Sequence, residues 1–335
     1  MSAKNRRMVL SARPHGLVDD TVVREELSEV PQPGNGEALA RVRWLSIDPT
    51  IRTWMDDRPG YLPPIGVGDV VRGAGVAEIV ESRSPRYAVG DAVYGMTGWQ
   101  DYTLVGEGDR SMQVLPSGVE PTTALNVFGV NGMTAWFGLL EVGALQHGDT
   151  VVVSGAAGAT GSLVGQIARL KGAHRVVGIA GSPEKCQWIT GTLGFDAAVD
   201  YRHEDVAAAL RRHCPEGIDL YFDNVGGEIL DICLGQLAMR GRVVLCGAIS
   251  QYNATKRPAG PSNVVNLIPR RGRMEGFIIL DYVERFAGAQ LELAGWLAED
   301  KIVHAEHVVE GLERAPEALN MLFTGANIGK VVVKL

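Results

Sequence analysis

The chain has 335 residues, 46% of them hydrophobic, which suits two globular domains better than one core. A formal net charge of −7 with scattered basic residues leaves no footprint for phosphate backbones, so no nucleic-acid partner is expected. No run of about 18 apolar residues occurs, and the basic N-terminus leads into no signal-peptide stretch, so a soluble, cytoplasmic chain with no membrane partner is expected.

Up to about residue 123 the pattern is of short strands, such as 37–45 with alternate apolar residues, broken at Pro31, Pro33, Gly34, Pro63, Pro64, Gly66, Gly68 and Gly90. That spacing predicts a small irregular barrel rather than a parallel sheet. From Asp149 the texture changes to Val/Ile-rich runs alternating with helical lengths. Strands are predicted at 150–153, 175–179, 218–223, 242–246 and 274–279, with a helix after each of the first four. This alternation predicts βαβ units and a doubly wound parallel sheet, hence an α/β chain. Beyond residue 300 a helix over 315–324 and a strand over 329–334 follow, which composition assigns to neither domain.

The first of these βα turns carries Gly155-x-x-Gly158-x-x-Gly161 between a buried strand and an apolar helix containing Leu163, Val164 and Ile167. Small residues there let backbone N–H groups and a helix N-terminus face a pyrophosphate, although Ala156 replaces the first glycine of the usual fingerprint. The end of the second strand chooses the cofactor, because an acid there binds the ribose 2′-OH of NAD and repels the phosphate of NADP. No acid stands at that strand end, while Ser182 and Lys185 follow it, so NADP(H) is favoured. Taken alone, Lys185 is equally well a solvated lysine on a first helical turn.

The four cysteines form no Cys-x-x-Cys pair, and among seven histidines only His304 and His307 fall three apart, a spacing more often found on plain surface. No metal is expected. Gly-x-Ser-x-Gly is absent too, so chemistry has to come from a cofactor, with hydride transfer the natural candidate.

Several blocks carry a resemblance: Leu45 to Pro49, Gly132 to Leu140, Gly158 to Lys171, Phe222 to Gly227 and Cys246 to Asn253. With these the chain resembles zinc-independent medium-chain dehydrogenases/reductases, in the branch of prostaglandin reductases, alkenal double-bond reductases and curcumin reductases. The superfamily's zinc-binding Gly-His-Glu is replaced by Gly73-Ala74-Gly75. The resemblance implies a GroES-like catalytic domain over 1–124, completed by 301–335, a Rossmann domain over 125–300, and a homodimer. It implies that Ala157, Gly158, Ala159 and Thr160 cradle the pyrophosphate, and that Lys185 and Tyr201 hold the 2′-phosphate. Along the ribose and nicotinamide it places Asn224, the run Cys246, Gly247, Ala248, Ile249, Ser250, Gln251 and Tyr252, then Phe277, Ile278 and Ile279, and Asn327. Asn224 also fits an ordinary turn residue, 277–279 an ordinary buried strand, and Cys246 a thiol that packs rather than reacts.

The activity implied is NADPH-dependent reduction of the double bond of an enone or enal. Hydride at the β-carbon pushes charge onto the carbonyl oxygen, and Tyr252, with the ribose 2′-OH, is the candidate donor there. Tyr61 matches a family tyrosine of the substrate cleft, although a loop aromatic packed on the barrel fits it equally. The family's Asp-Pro-Tyr-Met-Arg stretch reads Asp48-Pro49-Thr50-Ile51-Arg52 here, removing a ring and a phenol at position 50. Quinone reduction and a non-catalytic NADPH-binding scaffold are the alternatives.

Overall fold

A computed structural model of the chain describes residues 4–256 and 258–335. The N-terminal half folds as antiparallel strands, because Gly and Pro interrupt every apolar run before it reaches helical length. In order these are β1 (Lys4–Leu10), β2 (Val23–Glu29), β3 (Glu37–Ser46), β4 (Ala74–Ser82), β5 (Ala92–Met96), β6 (Tyr102–Gly106) and β7 (Gln113–Val114). Short helices α1 (Thr50–Trp54) and α2 (Pro121–Leu125) interrupt and close them. β3 is the spine, pairing with both β4 and β6, and it buries Ala38, Ala40, Val42 and Leu45 in a core that also holds Trp99, Ile51 and Met55.

The second half begins with α3 (Val130–Phe137) and alternates strand with helix: β8 (Thr150–Ser154), α4 (Ala159–Leu170), β9 (Arg175–Ala180), α5 (Pro183–Gly191), β10 (Ala197–Asp200), α6 (Val206–His213), β11 (Ile218–Asp223), α7 (Gly227–Leu234) and β12 (Leu237–Leu245). α8 (Leu267–Arg270), β13 (Arg273–Gly276) and α9 (Phe286–Ala298) complete it. The sheet runs β10-β9-β8-β11-β12-β13, all parallel, so β8 and β11 are neighbours where the winding reverses. Every residue of β8 is buried, as a strand covered on both faces requires.

Three expectations are corrected. β10 was not predicted, because Ala197-Ala198-Val199-Asp200 carries a single β-branched residue and becomes a strand only by pairing with β9. No full helix follows β12: Pro258, Pro261 and Pro269 leave room for two 3₁₀ turns and the four-residue α8. The strand predicted over 274–279 stops at Gly276, because its partner β12 ends at Leu245, where Cys246 and Gly247 turn to bond the carbonyl of Asp223.

The C-terminal β14 (Glu306–Glu310), α10 (Ala315–Thr324) and β15 (Lys330–Lys334) return to the first half, with β15 antiparallel to β3 through Val332 opposite Ser46. The chain thus divides into one unit ending at Leu125 and resumed by Glu306–Leu335, and another spanning Asn126–Ala305. In the first unit Lys330, 1% exposed, donates to Asp48 Oδ1 at 2.6 Å and to the carbonyl of Ile47 at 2.9 Å. Burial lowers its pKa while Asp48 opposes the shift.

Candidate active site

The reversal point between β8 and β11 is where an open parallel sheet leaves a crevice at its carboxyl edge. The turn after β8 fills its floor. Ala156 N–H bonds to the Ile179 carbonyl and Gly158 N–H to that of Gly155, and α4 starts with Gly158 as N-cap and no side-chain cap. Its first-turn N–H groups, on Ala159 and Thr160, therefore stand at the positive end of a three-turn helix with no cap from the N-cap side chain. A Cβ on Gly161 would lie 2.3 Å from the Gly155 carbonyl oxygen, so only glycine lets turn and helix close so tightly. Ala157 is buried beside them, and Asn131 Nδ2 reaches Thr160 Oγ1 at 3.3 Å.

At the carboxyl ends of β9 and β10 the residue after Ala180 is Gly181, not an acid. The ring of Tyr201 packs so closely there that a Cβ on Gly181 would stand 2.7 Å from it. Ser182 caps α5, its Oγ accepting the N–H of Lys185 at 3.2 Å, which leaves its own proton to donate elsewhere. Burial and the neighbouring Arg202 guanidinium both lower the pKa of Lys185, and Arg202 lies 5.7 Å from the centre of the Tyr201 ring. Two cations drawn together in this way suit an anion. Arg202 is missing from the residues expected from sequence, since nothing in the sequence showed β10 delivering it beside Lys185. Replacing Ser182 by Ala costs about 1 kcal/mol of stability through the lost cap, to be read by denaturant titration.

On the other side of the crevice Asn224 Nδ2 donates to the Ser154 carbonyl at 2.7 Å, so its side chain spans β8 and β11. Its own carbonyl accepts the N–H of Ile249, and the Val225 carbonyl accepts those of Ser250 N and Oγ. The run from Cys246 to Tyr252 is thus laced to this turn, with Gln251 N–H closing back on Ala248. Tyr252 OH accepts the Ala248 N–H at 3.1 Å. Burial and nearby Asp223 push the Cys246 thiol up to about 12, so it packs as a neutral group. Phe277 meets Tyr282 edge-on, Ile278 is extended, and Ile279 opens a 3₁₀ turn.

The remaining expected residues belong to the first unit. Tyr61 is 46% exposed, its OH 2.7 Å from Thr50 Oγ1, and its ring stands edge-on to Trp54 with Arg72 on the far partner of that pair. Burial raises its phenol pKa, and the Thr50 hydroxyl opposes the shift. Asn327 is buried and its Nδ2 bonds the Gly329 carbonyl at 2.9 Å. Among the described residues no three His, Cys, Asp or Glu side chains converge as metal ligands.

Residues 6–114 match the family model described as the N-terminal domain of oxidoreductase, and 159–294 the one described as zinc-binding dehydrogenase. The chain is 43% identical to the NADPH-dependent curcumin reductase of Escherichia coli, covering 99% of this chain and 97% of that one. The chain belongs to the medium-chain dehydrogenase/reductase family. Another family member, the NADP(+)-dependent 2-alkenal reductase of Nicotiana tabacum, is 41% identical over 91% of this chain and 89% of its own. The family fold extends to the crystal structure of CurA in complex with NADPH from Vibrio vulnificus, with a TM-score of 0.93 at 42% identity and 98% of each chain covered.

Proposed function

We propose that this family member uses NADPH to reduce the carbon–carbon double bond of α,β-unsaturated ketones and aldehydes. The observation that carries the reading is the Tyr201 ring packed on Gly181 with Arg202 5.7 Å from that ring's centre and Lys185 near enough to Arg202 for its pKa to be lowered, on the same sheet edge as the uncapped α4 turn. The relatives' names, an NADPH-dependent curcumin reductase and a 2-alkenal reductase, support both the cofactor and the substrate class.

In this reading Ala157, Gly158, Ala159 and Thr160 hold the pyrophosphate, and Ser182, Lys185, Arg202 and Tyr201 hold the 2′-phosphate. Asn224, the run Cys246 to Tyr252 and Phe277 to Ile279 line the ribose and nicotinamide. When bound, NADPH supplies the hydride that the β-carbon of the enone accepts. The Tyr252 hydroxyl, oriented by the Ala248 N–H, donates a hydrogen bond to the carbonyl oxygen on which charge gathers. The α-carbon takes its proton from solvent or a nearby hydroxyl.

The test is incubation with 4-phenyl-3-buten-2-one and either NADPH or NADH, with the product identified by mass and NMR. A saturated ketone formed faster with NADPH is expected. An allylic alcohol would sink the role given to Tyr252.

We also infer a homodimer, placed at the β13 edge of the parallel sheet. That edge strand is largely exposed, and Val264, Val265, Ile268, Leu280 and Val283 leave apolar surface beside it, Ile268 being 80% exposed. Such an edge calls for a partner, and a second copy offers a self-complementary one. Ile268→Asp is expected to shift the protein toward monomer in sedimentation, and a monomeric wild type would refute the placement. A cytoplasmic location goes with this reading: all four cysteines are free thiols, and no helix among the described residues is long and apolar enough to cross a membrane.

A further inference from the structure

Asp223, the last residue of β11, is completely buried and is used by none of the steps above. One of its oxygens, Oδ1, receives four donors: Tyr221 OH at 2.6 Å, Ser154 Oγ at 3.0 Å, and the N–H groups of Val225 and Gly226, each at 2.9 Å. The other, Oδ2, has no hydrogen-bond partner among the described residues. A carboxylate kept in an apolar interior with half its acceptor capacity idle is costly, so a fold that needed only packing here would be better served by an apolar side chain.

The four donors show what the carboxyl does instead. Val225 and Gly226 form the turn that follows Asn224, and Ser154 is the last residue of β8, immediately before the pyrophosphate turn. Ser154 Oγ also accepts the backbone N–H of Asn224 at 2.9 Å, while the Asp223 carbonyl accepts the N–H groups of Cys246 and Gly247. One oxygen therefore ties together the ends of β8 and β11 and the turn onto which the loop bearing Tyr252 is laced. Without it, the turn's two N–H groups and two hydroxyls would be left buried and unpaired, and each would seek another geometry.

We propose that Asp223 is a positioning residue of the reductase site, its Oδ1 holding the switch-point turn so that Asn224 and the Tyr252 loop face the nicotinamide. The proposal rests on the assignment of Asn224 and Tyr252 given above. It assigns Asp223 no contact with the 2′-phosphate region, which is built on β9 and β10.

The experiment compares Asp223→Leu, which removes the acceptor at similar volume, with Asp223→Asn, which keeps an acceptor oxygen. Folding is checked by circular dichroism, NADPH affinity by fluorescence titration, and turnover with 4-phenyl-3-buten-2-one. Asp223→Leu is expected to lose at least about tenfold in kcat and to bind NADPH more weakly. Its preference for NADPH over NADH is expected to stay within about threefold of wild type, and Asp223→Asn to recover most of the lost kcat. A folded Asp223→Leu with wild-type kcat would overturn the proposal, as would a folded Asp223→Asn as impaired as the leucine variant, or equal loss of the NADPH preference. If Asp223→Leu does not fold, Ser154→Ala takes its place: it removes one donor to Oδ1 and the acceptor of Asn224 N–H. Lowered kcat is expected there, and unchanged kcat overturns the proposal. Asn224→Ala and Tyr252→Phe are measured in parallel; wild-type rates in both would overturn the site assignment itself, and the positioning role with it.

Discussion

Tyr252→Phe is expected to lower kcat for enone reduction by about a hundredfold and to leave the KM for NADPH within about threefold. The substitution leaves the ring in place and removes the phenol hydroxyl. Its oxygen sits on the Ala248 amide in the free protein, so the ring is already oriented and little reorganisation accompanies the reaction. A donor aimed at a developing oxyanion is worth about 3 kcal/mol in a water-poor site, which is the hundredfold. The same substitution removes the acceptor of the Ala248 N–H, a bond within the loop that follows β12 and not within the turn after β8. Stopped-flow measurement of NADPH oxidation under single turnover separates the chemical step from release. An equal fall in NADPH affinity and kcat would instead mark Tyr252 as part of the cofactor's bed.

The double variant Lys185→Ala/Arg202→Ala is expected to lose about two orders of magnitude in kcat/KM with NADPH and to stay within about threefold with NADH. Each charge-assisted bond to a phosphate contributes about 1.5 kcal/mol at a partly exposed site, and two of them give the stated factor. Lys185 is the more sensitive of the pair. Its pKa is lowered by burial and then by Arg202, and a dianion placed beside it opposes both effects. Loss of NADH turnover in parallel would show that the two cations support the fold rather than read the phosphate. Steady-state kinetics with both cofactors, at fixed enone, decides between these outcomes.

Both results depend on features of unequal visibility in the chain. The turn between β8 and α4 was readable because its requirement is local: strand, small residues and helix follow one another within 150–170, and Gly161 is demanded by an atom only six residues away. Lys185 was readable for the same reason, standing on the first turn after β9. Arg202 was not, because its value lies in a neighbour from a different βα unit, and the strand that delivers it has a sequence with almost no strand propensity of its own. Asp223 was hidden in another way. Its motif stood out as a likeness, yet the convergence of donors from β8, β11 and the turn on a single oxygen has no signature in spacing.

Local periodicity and turn chemistry were enough to establish an α/β chain with a β-rich N-terminal half, the small-residue turn between β8 and α4, the absence of an acid after the second strand, and the helix over 315–324. Those properties come from interactions within a few residues, where backbone sterics and side-chain size act directly. Folding in three dimensions settled the rest: the order β10-β9-β8-β11-β12-β13, the return of β15 to β3, the pairing of Lys185 with Arg202, and the lacing of the Tyr252 loop to Asp223. Strand order and buried hydrogen-bond networks are set by contacts between residues far apart in the chain, and the free energy that selects them exists only once those surfaces have left water together.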